Sequence, residues 1–116
     1  MTCGRAVLVV DDDADIRETI SDVLADKGYH PLTACNGDEA LRVLDGGEHP
    51  CVIFLDMMMP VMSGAEFLEV IEERGNAGQI PVVVVSAHVD SVEGVADVLR
   101  KPFSVDRLEQ LAARYC

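Results

Sequence analysis

Five short runs rich in apolar residues recur along the chain, and stretches with helical spacing separate them. The runs are Ala6 to Val10, His30 to Cys35, Cys51 to Leu55, Pro81 to Val85 and Val98 to Arg100. Each run is too short for a helix, and the most apolar ones are typical of parallel strands buried on both faces. Alternating strands and helices predict an α/β fold, a five-stranded parallel sheet that is doubly wound by helices. A chain of 116 residues fits one such domain, residues 1–116.

One interval is too short for this alternation. Between Ser86 and the approach to the fifth strand, only residues 87–95 are available for a crossover helix, which is nine residues. A parallel crossover that contains its helix normally needs at least about 10 to 12 residues. The sequence therefore predicts a shortened or missing fourth helix.

Charge and cysteine content limit the classes of function. The chain carries 21 acidic and 9 basic residues, a formal net charge of −12, which repels nucleic acid and anionic lipid. No apolar run approaches membrane-spanning length, and no secretory signal precedes the first strand, so we expect a cytoplasmic protein without a membrane partner. The four cysteines form no Cys-x-x-Cys pair, and we expect reduced thiols with Cys116 mobile; they are Cys3, Cys35, Cys51 and Cys116.

Polar residues follow four of the five predicted strands. Asp11, Asp12 and Asp13 follow the first strand, Asp56 ends the third, Ser86 follows the fourth and Lys101 follows the fifth. The carboxyl ends of parallel strands meet at one edge of the sheet, so these side chains are predicted to form one site. Crowded carboxylates require a cation, and oxygen donors without zinc-like His or Cys spacing favour Mg²⁺.

The same residues suggest roles in phosphoryl transfer. Asp56, at the tip of an apolar strand, is the best candidate for a nucleophile that forms an acyl phosphate. The Ser86 hydroxyl and the Lys101 ammonium are expected to contact the phosphoryl oxygens. The simpler alternatives are that Asp11 to Asp13 are only an acidic helix cap, that Asp56 caps the next helix, and that Ser86 and Lys101 are turn and surface residues. Asp13 is expected to serve mainly as a cap in either case.

The motifs that contain these residues resemble a known family. Val9-Val10-Asp11-Asp12, Asp56-Met57-x-x-Pro60 with Ser63-Gly64, Val84-Val85-Ser86-Ala87 and Lys101-Pro102-Phe103 occur in the order found in receiver domains of bacterial response regulators. The resemblance implies a sheet of strand order 2-1-3-4-5 and a cis Lys101-Pro102 bond. It also implies phosphorylation of Asp56, a switch hydroxyl at Ser86, a phosphoryl contact at Lys101, and Mg²⁺ held by Asp11, Asp12, Asp56 and the Met58 carbonyl.

The resemblance further implies partners and a mode of action. The chain would take its phosphoryl group from a sensor histidine kinase or a histidine phosphotransfer protein, would lose it by autodephosphorylation, and would signal to a downstream protein through a changed surface. It would bind no nucleic acid directly, and a homodimer is possible. It would not be a metabolic enzyme.

Two departures from the family pattern leave an alternative open. Val98 stands where the family usually has a switch aromatic, and the fourth helix is short. These changes favour a signalling surface within residues 87–95 instead of the usual dimer face, or a pseudo-receiver that binds proteins without phosphorylation. A haloacid-dehalogenase-like phosphatase is disfavoured by Met58, where an acid is needed. A flavodoxin is disfavoured by the aspartates that replace a phosphate-binding loop.

Overall fold

The structure, a computed structural model, describes residues 6–47, 49–57, 62–73, 80–87 and 95–116. The strands are β1 (Ala6–Val10), β2 (His30–Ala34), β3 (Val52–Asp56), β4 (Val82–Ser86) and β5 (Asp97–Arg100). The helices are α1 (Ala14–Asp26), α2 (Gly37–Asp45), α3 (Gly64–Glu73) and α4 (Val105–Tyr115). All strand pairs are parallel, in the order β2-β1-β3-β4-β5, which confirms the predicted sheet.

The sheet is buried between two apolar layers. Strands β3 and β4 are buried at every residue, and β1 at all but its first, as the continuous apolar runs predict. Alternate residues of each strand face opposite layers, so Val9 and Phe54 pack with α1 and α4, whereas Leu8 and Leu55 pack with α2 and α3. The central strands are therefore held from both sides, and their carboxyl ends have fixed positions.

Each helix begins at a residue suited to cap it. The side chains of Asp13, Asn36 and Ser104 accept backbone hydrogen bonds at the starts of α1, α2 and α4. Helix α1 ends before Gly28, which has a φ of +89°, a conformation that glycine adopts without strain. Of the helices that the described residues form, none is both long and apolar enough to cross a membrane.

The connection from β4 to β5 contains no helix among its described residues, which are Ala87, Val95 and Ala96. The four described helices agree with a shortened or missing fourth helix, although residues 88–94, where it was predicted, lie outside the described residues. The predicted cis peptide bond between Lys101 and Pro102 is present.

The prediction of reduced thiols is wrong for one pair of cysteines. Cys51 and Cys116 form a disulfide, with their Cα atoms 5.3 Å apart, so Cys116 is tethered and not mobile. The pair is separated by 65 residues in sequence. Only the fold brings them together, because Cys51 precedes β3 and α4 runs back along the sheet to end beside it. Cys35 is free, and Cys3 lies outside the described residues.

Candidate functional site

Strand register brings the predicted site residues to one edge of the sheet. Val10 of β1 pairs with Leu55 of β3, so the residues that follow them, Asp11 and Asp56, lie side by side. Ser86 pairs with Arg100 across β4 and β5, and the Lys101 amide donates to the Ser86 carbonyl oxygen at 2.9 Å. We call the five residues that meet there, Asp11, Asp12, Asp56, Ser86 and Lys101, the carboxyl edge.

Three carboxylates form the acidic part of the carboxyl edge. One oxygen from each of Asp11, Asp12 and Asp56 lies within 4.8 Å of the other two. Asp11 and Asp56 are only 2% and 4% exposed, whereas Asp12 is exposed to solvent. The structure therefore brings these three predicted site residues together, two of them buried and one exposed.

Lys101 provides a positive charge against this group. Its Nζ lies 3.5 Å from Asp11 Oδ2 and 3.9 Å from Asp56 Oδ1. When ionised, the three carboxylates carry −3 and Lys101 carries +1, which leaves −2. One divalent cation balances that charge, and a set of carboxylate oxygens is the donor chemistry that Mg²⁺ prefers. The described residues therefore fit a magnesium ion.

Neighbouring groups fix the orientation of Asp11. The Asp13 amide donates to Asp11 Oδ1 at 2.9 Å, and the Arg17 guanidinium donates to the Asp11 carbonyl oxygen at 2.8 Å. Arg17 was missed by the sequence analysis, and its only signal was its place one turn after the acidic run. The Asp13 side chain accepts from the amides of Asp15 and Ile16, so its predicted role as a helix cap is confirmed.

Asp56 does not cap the next helix. The cap of α3 is Ser63, whose hydroxyl accepts from the Glu66 amide while the Glu66 carboxylate accepts from the Ser63 amide. Gly64, the first residue of α3, donates its amide to the Met57 carbonyl oxygen at 3.2 Å. A Cβ at position 64 would lie 2.7 Å from Met57 Cα and 2.9 Å from the Asp56 carbonyl oxygen, so glycine permits the close approach.

The carboxyl edge opens into a cavity of about 290 Å³. Its lining includes all five residues of the carboxyl edge, together with Asp13, Ile16 and Ala87. The cavity is large enough for a hydrated ion and a phosphoryl group beside it. Met58, predicted to contribute a carbonyl ligand, lies outside the described residues.

Comparisons with known proteins identify the family. The family model described as "Response regulator receiver domain" matches residues 7–113. A putative response regulator, NtrX-like, from Rickettsia bellii is 37% identical over 120 residues, which cover 95% of this chain and 24% of that protein. The chemotaxis protein CheY4 of Vibrio cholerae has a solved structure with a TM-score of 0.85, 32% identity and coverage of 96% of this chain and 98% of that one.

A second similar structure includes a ligand. The response regulator TrrA of Thermotoga maritima, in complex with Mg²⁺ and BeF, has a TM-score of 0.84 and 28% identity, and the match covers 96% of this chain and 98% of that one. The chain spans between about a quarter and about half the length of the first curated relatives that it matches.

The chain belongs to the family of response regulator receiver domains. The fold, the order of the strands and the positions of the acidic residues agree with this assignment.

Proposed function

We propose that this chain is the phospho-acceptor receiver of a two-component phosphorelay, and that Asp56 is the residue that becomes phosphorylated. The observation that carries the proposal is the convergence on Asp56 of two further carboxylates, within 4.8 Å, and of the Lys101 ammonium at 3.9 Å. The phosphoryl donor would be a histidine kinase or a histidine phosphotransfer protein, and the site of action the cytoplasm. A downstream protein would recognise the phosphorylated form.

In the proposed reaction a carboxylate oxygen of Asp56 attacks the phosphorus of a phosphohistidine. The P–N bond breaks, the imidazole leaves with the electron pair, and an acyl phosphate forms on Asp56. Lys101 Nζ, within 4 Å of both buried carboxylates, is in reach of the phosphoryl oxygens as their negative charge increases. The Ser86 hydroxyl, on the adjacent strand end, would contact another of these oxygens.

Magnesium would be held by Asp11, Asp12 and Asp56, with the Met58 carbonyl as a further ligand. When bound, it supplies positive charge that offsets repulsion between the carboxylates and the incoming phosphoryl group. Autodephosphorylation is the attack of water on the same phosphorus, which breaks the P–O bond, releases phosphate and regenerates the Asp56 carboxylate.

The test is the intact mass of the protein after incubation with acetyl phosphate and Mg²⁺. We expect a gain of one phosphoryl group that is lost in Asp56→Asn and in EDTA. Asp13→Asn is the matched control, because asparagine also caps helices and Asp13 caps α1, so this variant should gain the phosphoryl group. No gain in the wild-type protein, or an equal gain in Asp56→Asn, would overturn the proposal.

The output of the proposed receiver is expected to differ from the usual one. Val98 is a half-buried aliphatic residue of β5 and has no ring that rotates between buried and exposed positions. We infer that phosphorylation changes the surface formed by residues 87–95 and not the common dimer face. Sedimentation with and without beryllofluoride and Mg²⁺ tests this inference, and a monomer-to-dimer shift through the face formed by β5 and α4 would contradict it.

A further inference from the structure

The opposite end of the sheet contains a second group of interacting residues, remote from the carboxyl edge. It consists of Cys51 before β3, Ala96 and Asp97 around the start of β5, Arg114 and Tyr115 at the end of α4, and Cys116 directly after it. We call this group the amino edge. Nothing in the proposed phosphorelay chemistry uses it.

We propose that Cys51 and Cys116 are a redox-active pair, a second modification site whose reactants are small disulfides such as oxidised glutathione. The structure holds the pair as a disulfide, with Cα atoms 5.3 Å apart. That separation lies within the usual range for disulfides, about 4.4 to 6.8 Å, so the backbone does not have to move for the bond to form.

The amino edge keeps the two cysteines close without the disulfide. The Tyr115 hydroxyl donates to the Ala96 carbonyl oxygen at 3.0 Å, and Arg114 Nη1 donates to Asp97 Oδ2 at 2.7 Å. These contacts fasten the last turn of α4 to the start of β5 whether or not the sulfurs are bonded. A reduced Cys116 therefore stays within reach of Cys51, and reoxidation needs little ordering of the chain.

Reduction also leaves Cys51 with an acceptor. Its Sγ lies 3.3 Å from the Ala6 carbonyl oxygen, and its amide already donates to the same oxygen at 2.8 Å. As a thiol, Cys51 has a hydrogen to donate to this carbonyl. Neither redox state then leaves a partly buried sulfur without a suitable neighbour.

Exposure assigns different roles to the two sulfurs. Cys116 is exposed and Cys51 is half-buried, so a small disulfide reaches Cys116 first. The Cys116 thiolate attacks one sulfur of the oxidant, whose S–S bond breaks, and one thiolate leaves with the electron pair. Cys51 then attacks Cys116 Sγ in the mixed disulfide and releases the second thiolate. The protein loses two electrons and two protons, and the oxidant becomes two thiols.

Cys35 offers a matched comparison. It is the free, half-buried cysteine at the other end of the sheet, directly after β2. A hydrogen bond to Glu39 raises the pKa of the Cys35 thiol, and the distance from Cys35 Sγ to Glu39 Oε2 is 3.2 Å. A smaller thiolate fraction makes it a slower nucleophile near neutral pH.

The experiment equilibrates the native protein with glutathione buffers of increasing oxidised fraction and measures its intact mass. We expect the wild-type protein and Cys35→Ser to lose two hydrogens, and to regain them when reduced glutathione is added. Peptide mapping should locate the bond between Cys51 and Cys116. Cys51→Ser should instead accumulate one glutathione on Cys116, because the second thiol that displaces it is missing. Cys116→Ser should form no intramolecular disulfide.

Three outcomes would overturn the proposal. The first is that the thiols of the native wild-type protein stay reduced in an excess of oxidised glutathione. The second is that the bond persists in an excess of reduced glutathione, which would make it a purely structural cross-link. The third is that peptide mapping locates the bond on Cys35 or Cys3. None of these outcomes depends on phosphorylation, so the result is independent of the acetyl phosphate test.

Discussion

The two ends of the sheet differ in how their charges and sulfurs are arranged. At the carboxyl edge three carboxylates lie around one lysine. Their mutual repulsion is only partly offset by the lysine when no metal ion is bound. At the amino edge one carboxylate, that of Asp97, has two arginines and a tyrosine hydroxyl as partners, and a disulfide joins the same region to β3. The difference indicates that the carboxyl edge is built for binding and the amino edge for cohesion.

This division explains why an unfavourable site is tolerated. Carboxylates at the end of an apolar layer cost stability, and the buried strands β1, β3 and β4 fix them there nonetheless. The disulfide and the ion pairs of the amino edge lie at the opposite end of the sheet from the reacting groups. Substitutions at the two edges should therefore change the free energy of unfolding in different ways, which the following predictions test.

The largest effect is expected at the amino edge, from loss of the disulfide. Cys116→Ser removes a cross-link between residues 65 apart in sequence, and such links typically stabilise by about 2–4 kcal/mol. For a domain of this size the melting temperature should fall by roughly 10 °C under non-reducing conditions. Thermal unfolding followed by circular dichroism measures this change in melting temperature. The wild-type protein in reductant should match the variant, and an unchanged melting temperature would show that the disulfide adds no stability to the folded protein.

The second effect tests the close packing behind the carboxyl edge. Gly64→Ala places a Cβ against the backbone of Asp56 and Met57, and overpacking of this kind costs about 1–3 kcal/mol. Gly37→Ala is the control, because its Cβ would meet the side chain of Met62 and not the backbone, and methionine is an adaptable side chain. Urea unfolding compares the two. Equal destabilisation would mean that Gly64 has no special part in positioning Asp56.

A smaller effect is expected from Asp12→Asn, and the difference in melting temperature between variant and wild-type protein should change sign when magnesium is added. Asp12→Asn removes one of the three mutually repelling carboxylates, so without divalent cations the melting temperature should rise by a few degrees at low ionic strength. With Mg²⁺ the wild-type protein should gain stability from binding and the variant much less. Asp13→Asn, which keeps a helix-capping side chain, should behave like the wild-type protein in both conditions. A lower melting temperature of Asp12→Asn without divalent cations would contradict the proposed repulsion between the three carboxylates.

The smallest effect is expected from a single ion pair of the amino edge. Arg114→Ala removes a 2.7 Å contact to Asp97, but the arginine side chain is 54% exposed, so the loss should be about 0.5–1 kcal/mol. Arg42→Ala removes a pair with Asp38 whose arginine is 79% exposed, and this loss should be at most about 0.5 kcal/mol. Urea unfolding at low and high salt compares the two variants. An equal loss of unfolding free energy would mean that the networked pair of Arg114 is worth no more than the isolated pair of Arg42.

Much of the fold and of the carboxyl edge could be predicted because both depend on local patterns. Continuous apolar runs mark the strands that are buried on both faces, and the residue after each run marks a strand end. Asp56 and Lys101 are 45 positions apart, yet both lie at the carboxyl ends of strands, and parallel strands bring such positions to one edge. Arg17 and the glycine packing at position 64 have no such pattern, because they depend on distances between neighbouring segments.

The sequence by itself determined the alternation of elements, the helix caps at Asp13, Asn36 and Ser104, and the set of acidic and basic residues at the carboxyl edge. The tertiary structure alone decided that Cys51 and Cys116 form a disulfide, and that Asp97 contacts Arg107, Arg114 and Tyr115. The physical reason is that strand ends and caps are set by the few residues around them, whereas the position where α4 finishes depends on the packing of the whole helix against the sheet.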